Sequence, residues 1–207
     1  MAELKDAYGL RTPEDSVRLY RGWAGEYDEG FARAMGYVAP REIARAYLDE
    51  VGDPAADGPV LDIGAGTGLV AEHLRGQTVD AVDISQEMLD RAGAKGLYRR
   101  RITADLTRPL AIAAAEYAGF VSAGTFTHGH VGPVCLPELM RIARPGAAFA
   151  LSINAQAFDA ACFGSAFAGL VADGAITPVR FHRAPIYQGA AHAHADDTML
   201  VARFRRL

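Results

Sequence analysis

The chain has 207 residues, half of them apolar, with a formal net charge of −4 and a pI near 5.8. That length supports one substantial core rather than two small ones. An acidic balance with Lys and Arg scattered among Asp and Glu gives no field to hold a phosphate backbone, so nucleic acid is excluded as a partner.

In chain order, Met1 to Arg11 carries Glu3, Lys5 and Asp6 and has no apolar leader core. No later stretch is apolar for long enough to cross a bilayer, so a cytoplasmic protein without a membrane partner is expected. Pro13 to about Met35 and Pro40 to about Val51 predict two amphipathic helices, each with proline near its start, where a missing N–H costs little. Tyr20, Trp23 and Tyr27 share one face of the first, either as an aromatic lid over a pocket or as a stripe facing the core. Gly52 to Pro59 breaks the pattern. Short apolar runs then predict strands at Val60 to Ile63, Val79 to Asp83, Arg101 to Ala104, Gly119 to Gly124 and Ala147 to Ile153, with helices after most of them. Arg99, Arg100 and Arg101 read as a solvated strand edge. Cys135 and Cys162 lack a partner at metal or redox spacing, which suits a reducing compartment. A helix from about Ala157 to Ala172 precedes two alternating runs, Ile176 to Ala184 and Thr198 to Phe204, that close as an antiparallel pair. The whole of 1–207 therefore reads as one domain: N-terminal helices (1–52), a βα core (59–154), and a C-terminal helix with closing strands (155–207).

The most informative stretch is Val60 to Gly68, a buried strand running into Gly64-Ala65-Gly66-Thr67-Gly68, with helical spacing from Leu69 to Leu74. Glycines at 64, 66 and 68 permit positive φ and remove Cβ atoms, and a following helix offers free N–H groups, so a ligand can lie against main chain. Dinucleotide dehydrogenases use G-x-G-x-x-G. Here the spacing is G-x-G-x-G, Leu69 stands where their third small residue falls, and an acid, Asp62, lies inside the strand. Both departures favour a nucleoside-methionine cofactor over NAD. Asp83 ends the second strand, where one carboxylate can accept from both hydroxyls of a ribose diol. Ser85 caps the next helix, whose Met88 offers an apolar wall to a base. Asp105, in Ala104-Asp105-Leu106, ends the third strand and suits an exocyclic amine; as an alternative it caps a short helix from Leu110 to Ala115.

Together with Arg144-Pro145-Gly146, these segments resemble the class I S-adenosylmethionine-dependent methyltransferases. Tyr20 to Asp28, Gly68 to Leu74 and Lys95 to Tyr98 are similar to the methyltransferase-like group that includes the Williams–Beuren syndrome region methyltransferase. The resemblance covers Tyr20 to Asn154. It implies a Rossmann-like α/β fold, a doubly wound seven-stranded sheet with an antiparallel last strand, beneath an N-terminal helical lid. It also implies cofactor contacts: Gly64, Ala65 and Gly66 behind the methionine portion, Asp83 and Ile84 on the ribose, and Asp105 and Leu106 on the adenine. Ser122 to Thr125, and so Ala123, Gly124 and Thr125, would face the sulfonium. Ala118 and Ala147 depart from the usual acid and second glycine of the family pattern.

The implied reaction is methyl transfer to a small-molecule acceptor, with S-adenosylhomocysteine as product. It needs the acceptor held in line and water excluded. His128, just past the fourth strand, is the candidate general base, with His130 as its fallback; both can equally serve only to bond backbone. Tyr187, His192 and His194 lie between the closing strands without a third ligand at metal spacing, so no metal is expected. Two rivals keep part of the pattern, an S-adenosylmethionine sensor without catalysis and an NAD oxidoreductase.

Overall fold

A computed structural model of the protein describes residues 13–23, 25, 27–52 and 58–207. The strands are β1 (Val60–Ile63), β2 (Val79–Asp83), β3 (Arg101–Thr103), β4 (Tyr117–Phe126), β5 (Ala143–Asn154), β6 (Arg180–Pro185) and β7 (Thr198–Arg205). They form one seven-stranded sheet in the order β3-β2-β1-β4-β5-β7-β6. The first five strands pair in parallel, and β7 runs antiparallel between β5 and β6. From β1 the chain first builds outward through β2 and β3, then returns to lay β4 and β5 on the other side. Connections after β1 and β4 thus diverge and open a crevice at the carboxyl ends of the strands.

Alternation along the buried strands loads both faces of the sheet. On one face Phe120 stacks on Phe149 at 4.3 Å between ring centroids and Phe149 on Phe204 at 4.6 Å. These rings run across β4, β5 and β7 beneath α4 (Leu136–Ile142) and α5 (Phe163–Ala172). The other face is built from smaller residues, Val60, Ala81, Val121 and Ala150, so α2 (Ala39–Val51) and α3 (Gln86–Ala94) approach closely. A Cβ on Gly119 would lie 2.0 Å from the Tyr47 hydroxyl, so the α2 ring rests directly on strand backbone.

The structure differs from the sequence expectations at several points. The first helix, α1 (Pro13–Trp23), stops short of Met35 and is followed by a π-helix, Tyr27–Arg33. Gly22, Gly25 and Gly30 make that stretch a poor α-helix. After the glycine loop only a short 3₁₀ turn forms, Ala71–His73, because Gly76 at φ +89° turns the chain back towards β2. Leu110 to Ala115 is not helical: Leu110 N–H donates to Glu138 (2.7 Å) and its carbonyl accepts from Arg141 (3.1 Å), so side chains satisfy that backbone. Residues 157–162 are turns before α5, and Ile176 lies outside β6, in an isolated bridge with Arg206.

The arginine run is exposed and leads into the edge strand β3, as expected, and two of its members are also paired. Arg99 and Arg100 both bond the fully buried carboxylate of Asp80, and Arg100 continues to Glu116 and the Tyr117 hydroxyl. No helix among the described residues is long and apolar enough to cross a membrane.

Candidate active site

A cavity of about 190 Å³ lies at the crevice, over the carboxyl ends of β1 to β4. Its floor is the glycine loop, with Gly64 at φ +63° and Gly66 at φ +54°. Gly64 is packed from behind: a Cβ there would lie 2.0 Å from the Thr125 hydroxyl, which itself donates to the Ile63 carbonyl at 2.9 Å. Gly66 is the reverse case. A Cβ there would meet no atom within 4 Å, so the missing side chain is open space on the cavity wall.

Asp83 stands at the end of β2 with both oxygens engaged from below. Oδ2 accepts from Gly66 N–H and Oδ1 from Ser85 N–H, each at 2.8 Å. The Gly66 N–H therefore ties the loop to the carboxylate rather than standing free for a ligand. Burial pushes the Asp83 carboxyl up from its ordinary value, against the pull of the Ser85, Gly66 and Ile84 N–H groups. Ser85 also caps α3 by accepting from Met88 N–H at 3.2 Å, which holds the Met88 side chain against the cavity. One strand further along, Asp105 accepts from the Thr107 N–H (2.8 Å) and hydroxyl (2.7 Å). Burial raises its pKa, but Thr107 and Arg108 outweigh that and hold the carboxyl below its ordinary range. Ile84, Ala104 and Leu106 supply apolar wall between the two acids, and Ala123, Gly124 and Thr125 close the β4 side.

Four expected residues stand behind the wall instead of on it. Asp62 shares the α2 side of the sheet with Val60; Oδ2 accepts from the Tyr98 hydroxyl at 2.7 Å, and Oδ1 is buried without a partner. Burial lifts its pKa to about 7. Ala65 points into the core with Val70 and Leu74. The Thr67 hydroxyl donates to Asp28 Oδ1 at 2.5 Å. Gly68, at φ +93°, lies under the Tyr98 ring, 3.1 Å from where its Cβ would be. Asp62 faces that side by strand alternation within β1; for the other three, a loop that presents alternate backbone units to a ligand turns the rest to the sheet and to the N-terminal segment.

That segment covers the cavity. Tyr20 and Tyr27 are on the wall, while the Trp23 side chain lies outside the described residues. Arg21 pairs with Glu87 at 2.7 Å, holding α1 against α3. His128 lines neither this cavity nor its neighbour, because the turn at Gly129 (φ +71°) carries it away and brings His130 to the wall instead. His130 Nδ1 is 2.8 Å from the His128 carbonyl, and Nε2 is 2.8 Å from the Tyr20 hydroxyl. A carbonyl only accepts, so Nδ1 carries the hydrogen and Nε2 accepts from Tyr20. Burial holds the imidazole below its ordinary pKa, and hence neutral.

A second cavity, about 70 Å³, shares Tyr20, Tyr27, Gly124 and His130 with the first. It runs on between the π-helix and the β6–β7 connection. The Gly36 carbonyl accepts from Gln188 N–H at 2.8 Å and Tyr37 bridges to Tyr187, so two segments far apart in sequence form one wall. His192 bonds the Met35 carbonyl (3.2 Å) and His194 meets Asp197 (3.0 Å), which places the two imidazoles on separate partners.

Comparison with known proteins agrees with this geometry. The family model described as a methyltransferase domain matches residues 61–151, which hold β1, the glycine loop, Asp83, Asp105 and β4. Methyltransferase-like protein 27 of Homo sapiens is 31% identical over 149 residues, covering 70% of this chain and 60% of that protein. The chain belongs to the class I S-adenosylmethionine-dependent methyltransferases. It spans less than two thirds of the length of that human relative. Among solved structures, magnesium protoporphyrin IX methyltransferase of Synechocystis, with bound S-adenosylhomocysteine, shares the fold at a TM-score of 0.64 and 15% identity, over 93% of this chain and 99% of that one. The 1,6-didemethyltoxoflavin-N1-methyltransferase of Burkholderia thailandensis does so at 0.61 and 20%, over 95% and 91%.

Beyond the motif residues, the fold brings Thr107, Gly129 and Val131 to the first cavity and Phe31, Tyr37, Asn154 and Tyr187 to the second. Phe31 had a signal, four residues beyond Tyr27 on the lid. Asn154 and Tyr187 had none, since only the sheet and the β6–β7 connection bring them together.

Proposed function

We propose that the chain, as one domain over 1–207, transfers the methyl group of S-adenosylmethionine to a small-molecule acceptor in a reducing, cytoplasmic setting. The observation that carries this is a single cavity with an open backbone cradle at Gly66 and carboxylates at two successive strand ends, Asp83 and Asp105. These residues fit the cofactor. Each Asp83 oxygen spends one lone-pair direction on the N–H groups below and keeps capacity for a hydroxyl, as a ribose diol requires. Met88, Ile84 and Leu106 give a flat base its apolar walls, with Asp105 at the edge to take an amine hydrogen. Gly64 and Gly66 would back the methionine portion, and Ala123, Gly124 and Thr125 would face the sulfur.

When bound, the cofactor supplies a methyl group already activated on a sulfonium. The residues of the chain then have two tasks, to position the acceptor and to exclude water. Tyr20 and Tyr27 cover the junction of the two cavities, and there the neutral His130 Nε2 accepts from the Tyr20 hydroxyl. A small acceptor suits a methyltransferase with an acidic chain and a covered site, and the two Burkholderia and Synechocystis neighbours are named for small-molecule substrates. Cys135 and Cys162, both thiols, are consistent with the reducing compartment.

Calorimetric titration with S-adenosylmethionine, S-adenosylhomocysteine and NAD tests the reading. Binding of the first two without NAD is expected, and no binding of either overturns it. Isotopic methyl transfer into a small-molecule extract separates transfer from mere binding, since a sensor leaves every compound unlabelled.

A further inference from the structure

The second cavity carries no Asp, Glu, Lys or Arg among its described lining residues. Its wall is a continuous run of rings: Tyr27 to Phe31 at 5.0 Å, Phe31 to Tyr37 at 6.0 Å, and Tyr37 to Tyr187 at 5.8 Å between centroids. Burial raises the Tyr27 and Tyr37 phenols well above their ordinary values, so both stay neutral. Besides the tyrosine hydroxyls and the buried Thr127 hydroxyl, three polar groups line this cavity. Asn154 Oδ1 accepts from Gln156 N–H at 2.9 Å, which fixes the amide orientation and leaves its NH₂ for the cavity. Ser152 Oγ accepts from Gly124 N–H at 2.9 Å and keeps its hydroxyl hydrogen to donate. At the junction, His130 Nε2 is an acceptor, filled by the Tyr20 hydroxyl.

We propose that this cavity is the acceptor site of the methyltransferase and takes a small, uncharged aromatic molecule whose O–H or N–H is donated to His130 Nε2 in place of Tyr20. The assignment rests on the methyl-transfer reading, which locates the methyl donor in the adjoining cavity. Beside the thioether of S-adenosylhomocysteine, a charged ring acid or amine would lose its hydration without meeting a counter-ion among the described lining residues, a cost of several kcal/mol by the general rule for unpaired buried charge. A ring gains instead, because the aromatic wall offers edge and tilted contacts. An aliphatic molecule of equal size gains burial but not those contacts. The NH₂ of Asn154 and the hydroxyl of Ser152 provide for a ring oxygen or nitrogen, while His130 Nε2, which takes up the proton that the acceptor atom gives up on methylation, selects that atom. Of two ring compounds alike in size, the one that donates a hydrogen bond at the junction is therefore preferred.

The test uses the whole chain saturated with S-adenosylhomocysteine, titrated calorimetrically with single-ring probes, in keeping with the small cavity: phenol, benzoate, benzylammonium and anisole. Expected is binding of phenol at least about tenfold tighter than of either charged ring, the ratio that one desolvated charge readily imposes. Anisole, which cannot donate and leaves Tyr20 on His130, binds more weakly than phenol. Tyr187→Ala removes a ring and weakens phenol by about tenfold or more, whereas Tyr187→Phe, which keeps the ring, holds phenol within about twofold, and S-adenosylhomocysteine affinity stays within about twofold in both. Charged rings or anisole binding as tightly as phenol, no binding of phenol, or a Tyr187→Ala variant that holds phenol unchanged would each overturn the proposal. Failure of S-adenosylhomocysteine itself to bind instead removes the methyl-transfer reading beneath it.

Discussion

The Thr67 hydroxyl donates to Asp28 Oδ1 at 2.5 Å and so joins the glycine loop to the aromatic lid. Lys95 completes the link, 2.6 Å from Asp28 Oδ2 and 2.6 Å from Glu72. Burial lowers the Lys95 pKa, but the two carboxylates outweigh it and keep the ammonium charged. Three segments that the sequence shows only as separate motifs therefore meet at one point. Asp28→Ala should weaken S-adenosylhomocysteine by about tenfold, the loss of one charge-assisted contact, and raise hydrogen exchange in 13–35. Unchanged affinity with unchanged exchange would show that the latch does not hold the lid.

Asp83 organises the site from within. Asp83→Ala removes the acceptor of both the Gly66 and Ser85 N–H groups and, with it, the proposed diol contact. Affinity for the cofactor should fall by about 100-fold or more, given roughly 1.5–3 kcal/mol for hydrogen bonds to a charged group. Asp83→Asn, keeping one acceptor oxygen, should fall between the two. Calorimetry reads both, and equal affinity of Asp83→Ala and wild type would separate Asp83 from the ligand.

Gly64 and Gly66 predict opposite failures. Alanine at 64 would drive its Cβ to 2.0 Å from Thr125 Oγ1 and should lower stability. Alanine at 66 meets no protein atom, so apart from roughly 1–2 kcal/mol of left-handed backbone strain its cost appears as lost cofactor affinity. Melting curves with and without S-adenosylhomocysteine distinguish the pair; a Gly66→Ala variant with full affinity would mean the ligand does not lie against this wall.

Asp62 makes stability depend on pH. Burial, opposed by the Tyr98 hydroxyl and reinforced by the nearby Asp83 charge, lifts its pKa from the ordinary 3.8 to about 7. Between those values the folded chain holds a proton that the unfolded chain has lost, so stability falls as pH rises and levels off above the folded pKa. Asp62→Asn keeps an acceptor for Tyr98 and removes the titration. The melting temperature of this variant should decline less between about pH 5 and pH 8 than that of the wild type, although Asp83, also raised, keeps part of the slope. Parallel curves would place the proton elsewhere.

At the opposite end of β2, Asp80 is buried against Arg99, Arg100 and Tyr117. Burial raises its pKa, but the bonds from Arg99, Tyr117 and Arg100 prevail and hold the carboxyl below its ordinary value. Its contribution is present above the unfolded pKa and is lost as pH falls through the depressed one. Asp80→Ala should destabilise by about 2–3 kcal/mol, below the usual range for a buried pair because the arginines are half-exposed. Chemical denaturation measures it, with cofactor affinity expected to remain.

The glycine loop and the two acids that line the first cavity were legible because their signals are local. Val60 to Gly68 is one continuous stretch, Asp83 ends a buried run and Asp105 follows the short edge strand β3, so the order of strands brings them to one edge. Several details around it were not legible. The helix expected after Gly68 gives way to a 3₁₀ turn, and Arg99 and Arg100 pair with the buried Asp80, since neither outcome is decided within a single segment. His128 and His130 are equivalent by composition, and only the backbone turn at Gly129 chooses between them.

What the sequence determined by itself, then, is the βα order, the glycine loop and the acids at strand ends, because short-range backbone geometry and burial periodicity set each of them. The tertiary structure alone decided which side chains share a cavity. Tyr20, Tyr37, His130, Asn154 and Tyr187 come from five separate segments, and packing of the N-terminal helices against the β6–β7 connection brings them together. Contacts of that kind depend on the whole sheet being assembled, so no local pattern of residues encodes them.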